Sequence, residues 1–371
     1  MKILFVLEYH YPHIGGVETL FKSLTEELAA KGYTVTVITN KFSPELASAE
    51  ILNGVSIKRY NFINRYIFTF LSVFPIINEA KKHDLIHTTS YNAGLPSYIA
   101  AKFTNTKVVI TFHEVWNKLW YKLPFLNYLS KNLYYYFEAF LLNLSFDQFI
   151  AVSDYTKDAL EQSGIDSHKI RKIYNGIDYS QFNTLIKENV NNDEFTFCYF
   201  GRLGVSKGID ILLPAIQMCK RKGNKFIFIL IIPSESKLLN KYVIDQIRSL
   251  QIEDIVVIKQ DLSRDTLIQT ITNCDAVVIP SYSEGFGFTA VETMALEIPI
   301  ISSAKGALHE VVSGKHVNMA SFSSQGLSDA MEDALSDKWT YSPKKRFTLE
   351  DSVEEYCSLY TSLDPNAISN S

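Results

Sequence analysis

The sequence predicts an α/β protein made of two doubly wound halves, and three observations predict it. The chain has 371 residues, too many for one typical domain and enough for two that each bury a core. Strand-like, helical and strand-like patterns follow one another over roughly the first forty residues, the βαβ order of a parallel sheet. The alternation then restarts after a polar segment, Lys187 to Glu194, whose Asn189, Asn191 and Asn192 mark it as a linker and hinge.

Lys2 to Leu7 is an apolar run that Glu8 interrupts. No small-residue cleavage pattern follows, so it suits a buried first strand rather than a signal peptide. Val17, Leu20, Phe21, Leu24 and Leu28 recur at helical spacing and close at Gly32, where a helix end favours glycine. Tyr33 to Thr39 is the next strand. Ligands of such a unit sit at the carboxyl ends of its strands, where Gly15 and Gly16 fall. Further strands are expected at Leu85–His87, Lys107–Phe112, Gln148–Val152 and Lys172–Tyr174. The longest apolar run, Tyr66–Ile77, contains Pro75 and is too short to span a bilayer. The N-terminal Rossmann-like domain is placed at residues 1–186.

The second domain is placed at residues 195–348. Its strands are expected at Phe195–Phe200, Phe226–Ile232, Ile255–Ile258, Ala276–Pro280 and Pro299–Ser302. Helices from Ile209, at Leu238–Leu250, Arg264–Thr272 and Thr289–Leu296 separate them. A last helix, Leu349–Leu363, could pack on either half.

Hydrophobic residues make up 47% and charged residues 20% of the chain, which fits a globular protein. A net charge of -4 gives no general attraction to nucleic acid. Cys198, Cys219, Cys274 and Cys357 lie far apart and read as core thiols of a reducing, cytoplasmic compartment. No Asp-x-Asp pair occurs, and no metal or other cofactor is expected.

Two segments carry the chemistry. Ser283 to Leu296 follows an apolar strand and puts Glu284 in a loop and Glu292 in the first turns of a helix, with Gly285 and Gly287 between. Glycines let backbone N–H groups approach a ligand at a helix N-terminus, and carboxylates among them accept hydrogen bonds from sugar hydroxyls. Gly201 to Gly208 likewise joins a strand to a helix and brings Arg202 and Lys207, two cations suited to a diphosphate. Gly15 and Gly16, before Val17 and Glu18, form a third such loop. Each segment alone also fits a solvated turn.

Together they resemble glycosyltransferase family four, the retaining enzymes of the GT-B fold, over nearly the whole chain. The marks are Glu284 and Glu292 at E-x7-E spacing and Gly201–Gly208 as G-R-L-x-x-x-K-G. Gly15-Gly16-Val17-Glu18, His113-Glu114, Val152-Ser153 with Thr156-Lys157, and Asn175-Gly176-Ile177-Asp178 support them. The resemblance implies two Rossmann-like domains facing a central cleft. It implies transfer from a UDP- or GDP-sugar to a glycan or lipid-linked acceptor, as in surface polysaccharide or glycoconjugate synthesis. Arg202 and Lys207 would hold the donor diphosphate, Glu292 the ribose, and Glu284 with the backbone of Phe286, Gly287 and Phe288 the sugar. His113 would lie by the anomeric carbon and acceptor, and Gly16 could offer an N–H to phosphate. Lys305-Gly306-Ala307-Leu308-His309-Glu310 departs from the family's G-G-x-P-E, and Ser313–Ser324 is also unlike the usual pattern.

Val115 to Phe146 is crowded with aromatic residues and carries Lys118, Lys122 and Lys131 against Glu138. Such a segment suits either the core of a helix pair or a peripheral surface on an anionic membrane. Other readings are a related nucleotide-sugar hydrolase or epimerase, a non-catalytic membrane scaffold, and an NAD-dependent oxidoreductase built on Gly285–Ala290. The last lacks the acidic residue expected near Ser302 to Gly306.

Overall fold

A computed structural model describes residues 1–13, 15–182, 194–234 and 237–364. The chain forms two compact units. Unit 1 comprises Met1–Tyr121, Tyr128–Ile177 and Phe347–Ser371, and unit 2 comprises Lys122–Asn127 and Asp178–Arg346. Apart from Glu194, the expected hinge segment lies outside the described residues.

The strands of unit 1 are β1 (Lys2–Val6), β2 (Thr34–Asn40), β3 (Ala49–Leu52), β4 (Val55–Tyr60), β5 (Leu85–Thr89), β6 (Lys107–Phe112), β7 (Gln148–Ala151) and β8 (Ile170–Lys172). They make one sheet in the order β3-β4-β2-β1-β5-β6-β7-β8, parallel except where β3 meets β4. Its helices include α1 (Gly16–Ala30), α2 (Arg65–Leu71), α3 (Val73–Ala80), α4 (Gly94–Thr104), α5 (Tyr128–Leu142) and α6 (Asp154–Gln162). Ile3 to Val6 are fully buried, the unbroken apolar run that a parallel strand covered on both faces requires.

Unit 2 holds β9 (Phe195–Phe200), β10 (Phe226–Ile232), β11 (Val256–Gln260), β12 (Ala276–Ile279), β13 (Ile300–Ser302), β14 (Gly314–Asn318) and β15 (Thr340–Ser342). The sheet order is β11-β10-β9-β12-β13-β14-β15, with only the β14–β15 pair antiparallel. Its helices include α7 (Ile209–Arg221), α8 (Lys237–Ser249), α9 (Arg264–Thr272), α10 (Phe288–Ala295), α11 (Leu308–Val311) and α12 (Ser324–Leu335). Phe197, Phe228, Leu230, Ile301 and Met331 centre its core, and Cys198, Cys219 and Cys274 are buried thiols.

The last helix, α13 (Leu349–Leu363), returns to unit 1, where Tyr356 and Tyr360 are fully buried and the Tyr360 hydroxyl meets His87 Nδ1 at 2.6 Å.

The structure adds to or alters the sequence reading at four places. The β3–β4 hairpin is signalled by Asn53-Gly54, whose φ values of 47° and 82° suit the mirror-image turn that joins twisted strands. The run Tyr66–Ile77 folds as α2 and α3; Asn64 caps the first by accepting from the Tyr66 and Ile67 N–H groups, and Pro75 lies in the first turn of the second, where a missing N–H costs little. The strand expected at Lys172–Tyr174 is β8, two residues earlier, and Ser313–Ser324 contains β14.

Among the parallel strands of each sheet the order reverses once. The reversal lies between β1 and β5 in unit 1 and between β9 and β12 in unit 2. The gap outside the carboxyl ends of two such strands is where open α/β sheets bind ligands.

Candidate active site

At the reversal in unit 2, β9 runs into Gly201–Gly208 and β12 into Pro280–Gly287. The two loops are joined by backbone: the Tyr282 N–H donates to the Ser206 carbonyl at 2.7 Å. Gly208 enters α7 with φ 71°, and a Cβ there would run into the Pro280 carbonyl. Tyr282 also donates its hydroxyl to Asp210 Oδ2 at 2.7 Å.

This weld places Lys207 Nζ 2.7 Å from Glu284 Oε1, which also accepts from Ser281 Oγ at 2.7 Å. The carboxylate is mostly buried and the ammonium about one-third exposed, so the pair is screened less than a surface ion pair. Burial, and then the Glu284 charge, push the Tyr199 phenol well above its ordinary value. The divergent segment from Lys305 to Glu310 retains the glycine the contact needs. Gly306 (φ 62°) lies against the Glu284 backbone, where a Cβ would collide, and the Ala307 N–H donates to the Glu284 carbonyl at 2.7 Å.

Gly287 (φ 91°) starts α10, and the Phe286 and Phe288 rings meet edge to face at 5.2 Å. Glu292 lies on that helix in a separate ion pair, with Oε1 2.9 Å from Arg264 Nη1. The Arg264 guanidinium is 5.1 Å from the centre of the Phe182 ring. Arg202 is exposed on the Gly201–Gly208 loop, and its carbonyl accepts from the Tyr199 hydroxyl at 3.4 Å. The structure therefore unites Lys207 with Glu284, keeps Arg202 on the adjoining loop, and gives Glu292 a partner that the sequence does not point to. Arg264 lies 28 positions from Glu292, and no local pattern pairs them.

In unit 1, Gly15 caps α1 and Gly16 begins it, at the reversal beside β1; Ile14 lies outside the described residues. His13 Nδ1 meets Glu18 Oε1 at 3.0 Å. His113 follows β6, packs edge-on against Phe21, and has its Nε2 shut from solvent without a hydrogen-bond partner among the described residues. Burial lowers this imidazole to about 4, while the Glu18 charge pulls the other way, so it is neutral at pH 7. Behind it, His87 is held by Thr111 and Tyr360, and burial followed by the His113 charge lowers it to about 3. His10 falls to about 4 through burial, then Arg59 and Lys22.

Each of these histidines takes a proton more readily unfolded, near 6.5, than folded. Unfolding therefore consumes protons below about 6.5, and stability drops as pH falls through that window toward 3 to 4. The melting temperature is expected to decline between pH 6.5 and 4.5, and His87→Gln, which can still bond both hydroxyls, to flatten the decline. Equal slopes for variant and wild type would contradict this.

Glu138, one of the charges of the aromatic segment, lies in the interior. It is 1% exposed and accepts from the Trp116 N–H (3.0 Å), the Asn117 N–H (2.6 Å), the Tyr91 hydroxyl (2.8 Å) and Trp120 Nε1 (3.3 Å). Four donors offset the cost of burying the carboxylate and fix the chain just after His113. Burial nonetheless raises its pKa.

His83 and His87 stand four apart, a spacing that binds metal when both lie on one helix. Here His83 precedes β5 and His87 lies within it, and both nitrogens of each ring have partners. Among the described residues no group of three or more His, Cys, Asp or Glu is placed to hold a metal ion. No described helix is long and apolar enough to cross a membrane.

Residues 14–181 match the family described as Glycosyltransferase Family 4, and residues 181–350 match Glycosyl transferases group 1. Among curated relatives, the alpha-monoglucosyldiacylglycerol synthase of Streptococcus pneumoniae is 23% identical over 358 residues, spanning 90% of this chain and 78% of that one. Among solved structures, sucrose-phosphate synthase from Thermosynechococcus elongatus superposes with a TM-score of 0.81 at 20% identity, covering 98% of this chain and 99% of that one. Anabaena HepE in complex with UDP and glucose gives 0.77 at 20% identity, covering 98% and 100%. The oxidoreductase reading falls with these matches, since its glycine pattern is the loop that carries Glu284. The chain belongs to glycosyltransferase family four and is a GT-B enzyme of two Rossmann-like α/β units.

Proposed function

We propose that this enzyme moves a sugar from a UDP- or GDP-sugar to a glycan or lipid-linked acceptor, with retention at the anomeric carbon and without a metal. The observation that carries the reading is the Lys207–Glu284 pair, 2.7 Å apart at the sheet reversal of unit 2. A cation and a carboxylate fixed side by side suit a ligand with a diphosphate next to a hydroxyl-rich ring. The UDP and glucose of HepE support a nucleotide-sugar donor. The diacylglycerol named in the pneumococcal synthase supports a lipid-linked acceptor.

The costly step is charge separation as the sugar–phosphate bond breaks, leaving an oxocarbenium-like carbon and a diphosphate. Lys207 and Arg202, with the start of α7, supply the fixed positive charge that a metal would otherwise provide. Glu284 and the Phe286–Phe288 backbone hold the sugar, and Glu292, oriented by Arg264, accepts from the ribose hydroxyls. In unit 1, His113 is a neutral imidazole for the acceptor side and the anomeric centre, and Gly15 and Gly16 offer backbone to phosphate.

Thermal-shift measurements with UDP-, GDP- and ADP-sugars test the donor, because a ligand that binds only the folded state raises its stability. A UDP- or GDP-sugar is expected to raise the melting temperature, and Glu292→Gln to reduce the rise. No shift from any of them would remove the donor reading. Donor consumption at the same rate with and without acceptor would favour a hydrolase.

A further inference from the structure

Unit 1 carries a hydrogen-bonded bridge across its own strand reversal. Glu8 lies two residues beyond β1 and Asn92 three beyond β5, the strands between which the order turns. Glu8 Oε2 accepts from Asn92 Nδ2 at 2.7 Å, and Glu8 Oε1 from Arg65 Nε at 3.1 Å. Asn92 is itself oriented, since its Oδ1 accepts from the Thr69 hydroxyl at 3.2 Å. Tyr91, the residue before it, has φ 69°, and its hydroxyl donates to Glu138 at 2.8 Å. Bulky residues held in the left-handed region cluster at binding and catalytic sites.

The bridge has the wrong charge for a phosphate and the right one for hydroxyls. A carboxylate has about four lone-pair positions, and Asn92 and Arg65 occupy two of those on Glu8. The Glu8 side chain is 17% exposed, so the others can accept from the O–H groups of a ligand. Arg65, the cation of the bridge, is already engaged by Glu8, and the pair carries no net charge. Burial raises the neighbouring Tyr9 phenol, and the charges that act on it are Glu8, Arg65 and Glu18, two acids against one cation. A phosphate brought here would meet like charge, which is a means of rejecting a partner.

We propose that Glu8 determines acceptor specificity, taking an uncharged, hydroxyl-bearing group and rejecting a phosphorylated one. The inference rests on the transferase reading above and names the acceptor class within it. A sugar ring and a glycerolipid both present such hydroxyls, and separate probes distinguish them. Release of nucleoside diphosphate is followed with the nucleotide sugar that gives the largest thermal shift. The probes are methyl glucoside and dioctanoylglycerol, with methyl glucoside 6-phosphate and dioctanoylphosphatidylglycerol as their charged counterparts. One uncharged probe is expected to speed release with kcat/KM about tenfold or more above its charged counterpart. Glu8→Gln is expected to raise the KM for that probe and to close the gap, whereas Glu8→Asp keeps the charge and keeps the gap. A merely structural role would weaken both variants without altering the gap. The proposal is overturned if a charged probe outperforms its counterpart on wild type, if neither uncharged probe speeds release, or if Glu8→Gln leaves the gap intact. The wild-type preference decides the matter even where a variant does not fold. The donor-induced thermal shift is expected to be unchanged in both variants. Its absence in wild type is failure of the donor reading, and its presence with the opposite acceptor preference is failure of this one.

Discussion

Replacing Lys207 by alanine is expected to lower turnover on the order of 10²-fold or more, the usual cost of losing one fixed electrostatic group that faces developing charge. The ammonium is already positioned, held by Glu284 Oε1 at 2.7 Å on a loop that the Tyr282–Ser206 hydrogen bond ties to β12. A group held in advance needs no reorganisation when the diphosphate departs, which is why its loss should appear in kcat. Lys207→Arg restores charge with a different shape and should recover part of the loss. Initial rates at saturating donor, with melting curves as a check on folding, measure the effect. A Lys207→Ala enzyme with wild-type kcat would refute the assigned role.

Gly208→Ala is expected to have the largest effect on stability. The position has φ 71°, costly for any residue with a side chain, and the added methyl would meet the Pro280 carbonyl, which is backbone and cannot turn aside. Together these cost about 3 kcal/mol, equivalent to roughly 6–12 °C in melting temperature for a domain of this size. The same shift would spread the two loops and loosen Lys207 from Glu284, so activity should fall along with stability. A Gly208→Ala protein that melts within a degree of wild type would show that the loops are not welded as described.

Much of unit 2 is legible in the residues alone. The apolar runs of β9, β10 and β12 fall where hydrophobic pattern puts them, because parallel strands covered on both faces are apolar throughout. Gly287 reads as a site of close backbone approach and adopts positive φ, as Gly208 also does. The Asn53-Gly54 dipeptide is a local hairpin signal of the same kind. Glu138 is not legible, since a lone acid among aromatics has the same local pattern whether it lies in water or under Tyr91 and Trp120.

Local pattern was enough to specify the two α/β units, the family, and the loops that carry Lys207, Glu284 and Glu292, because strand and helix periods and glycine positions act over a few neighbouring residues. Long-range packing was needed to pair Arg264 with Glu292, to bring α13 back to unit 1 and His87, and to turn the carboxylate of α5 inward. Those outcomes depend on which surfaces meet after the chain has folded back on itself. A helix carries the same residues whichever face its neighbours cover.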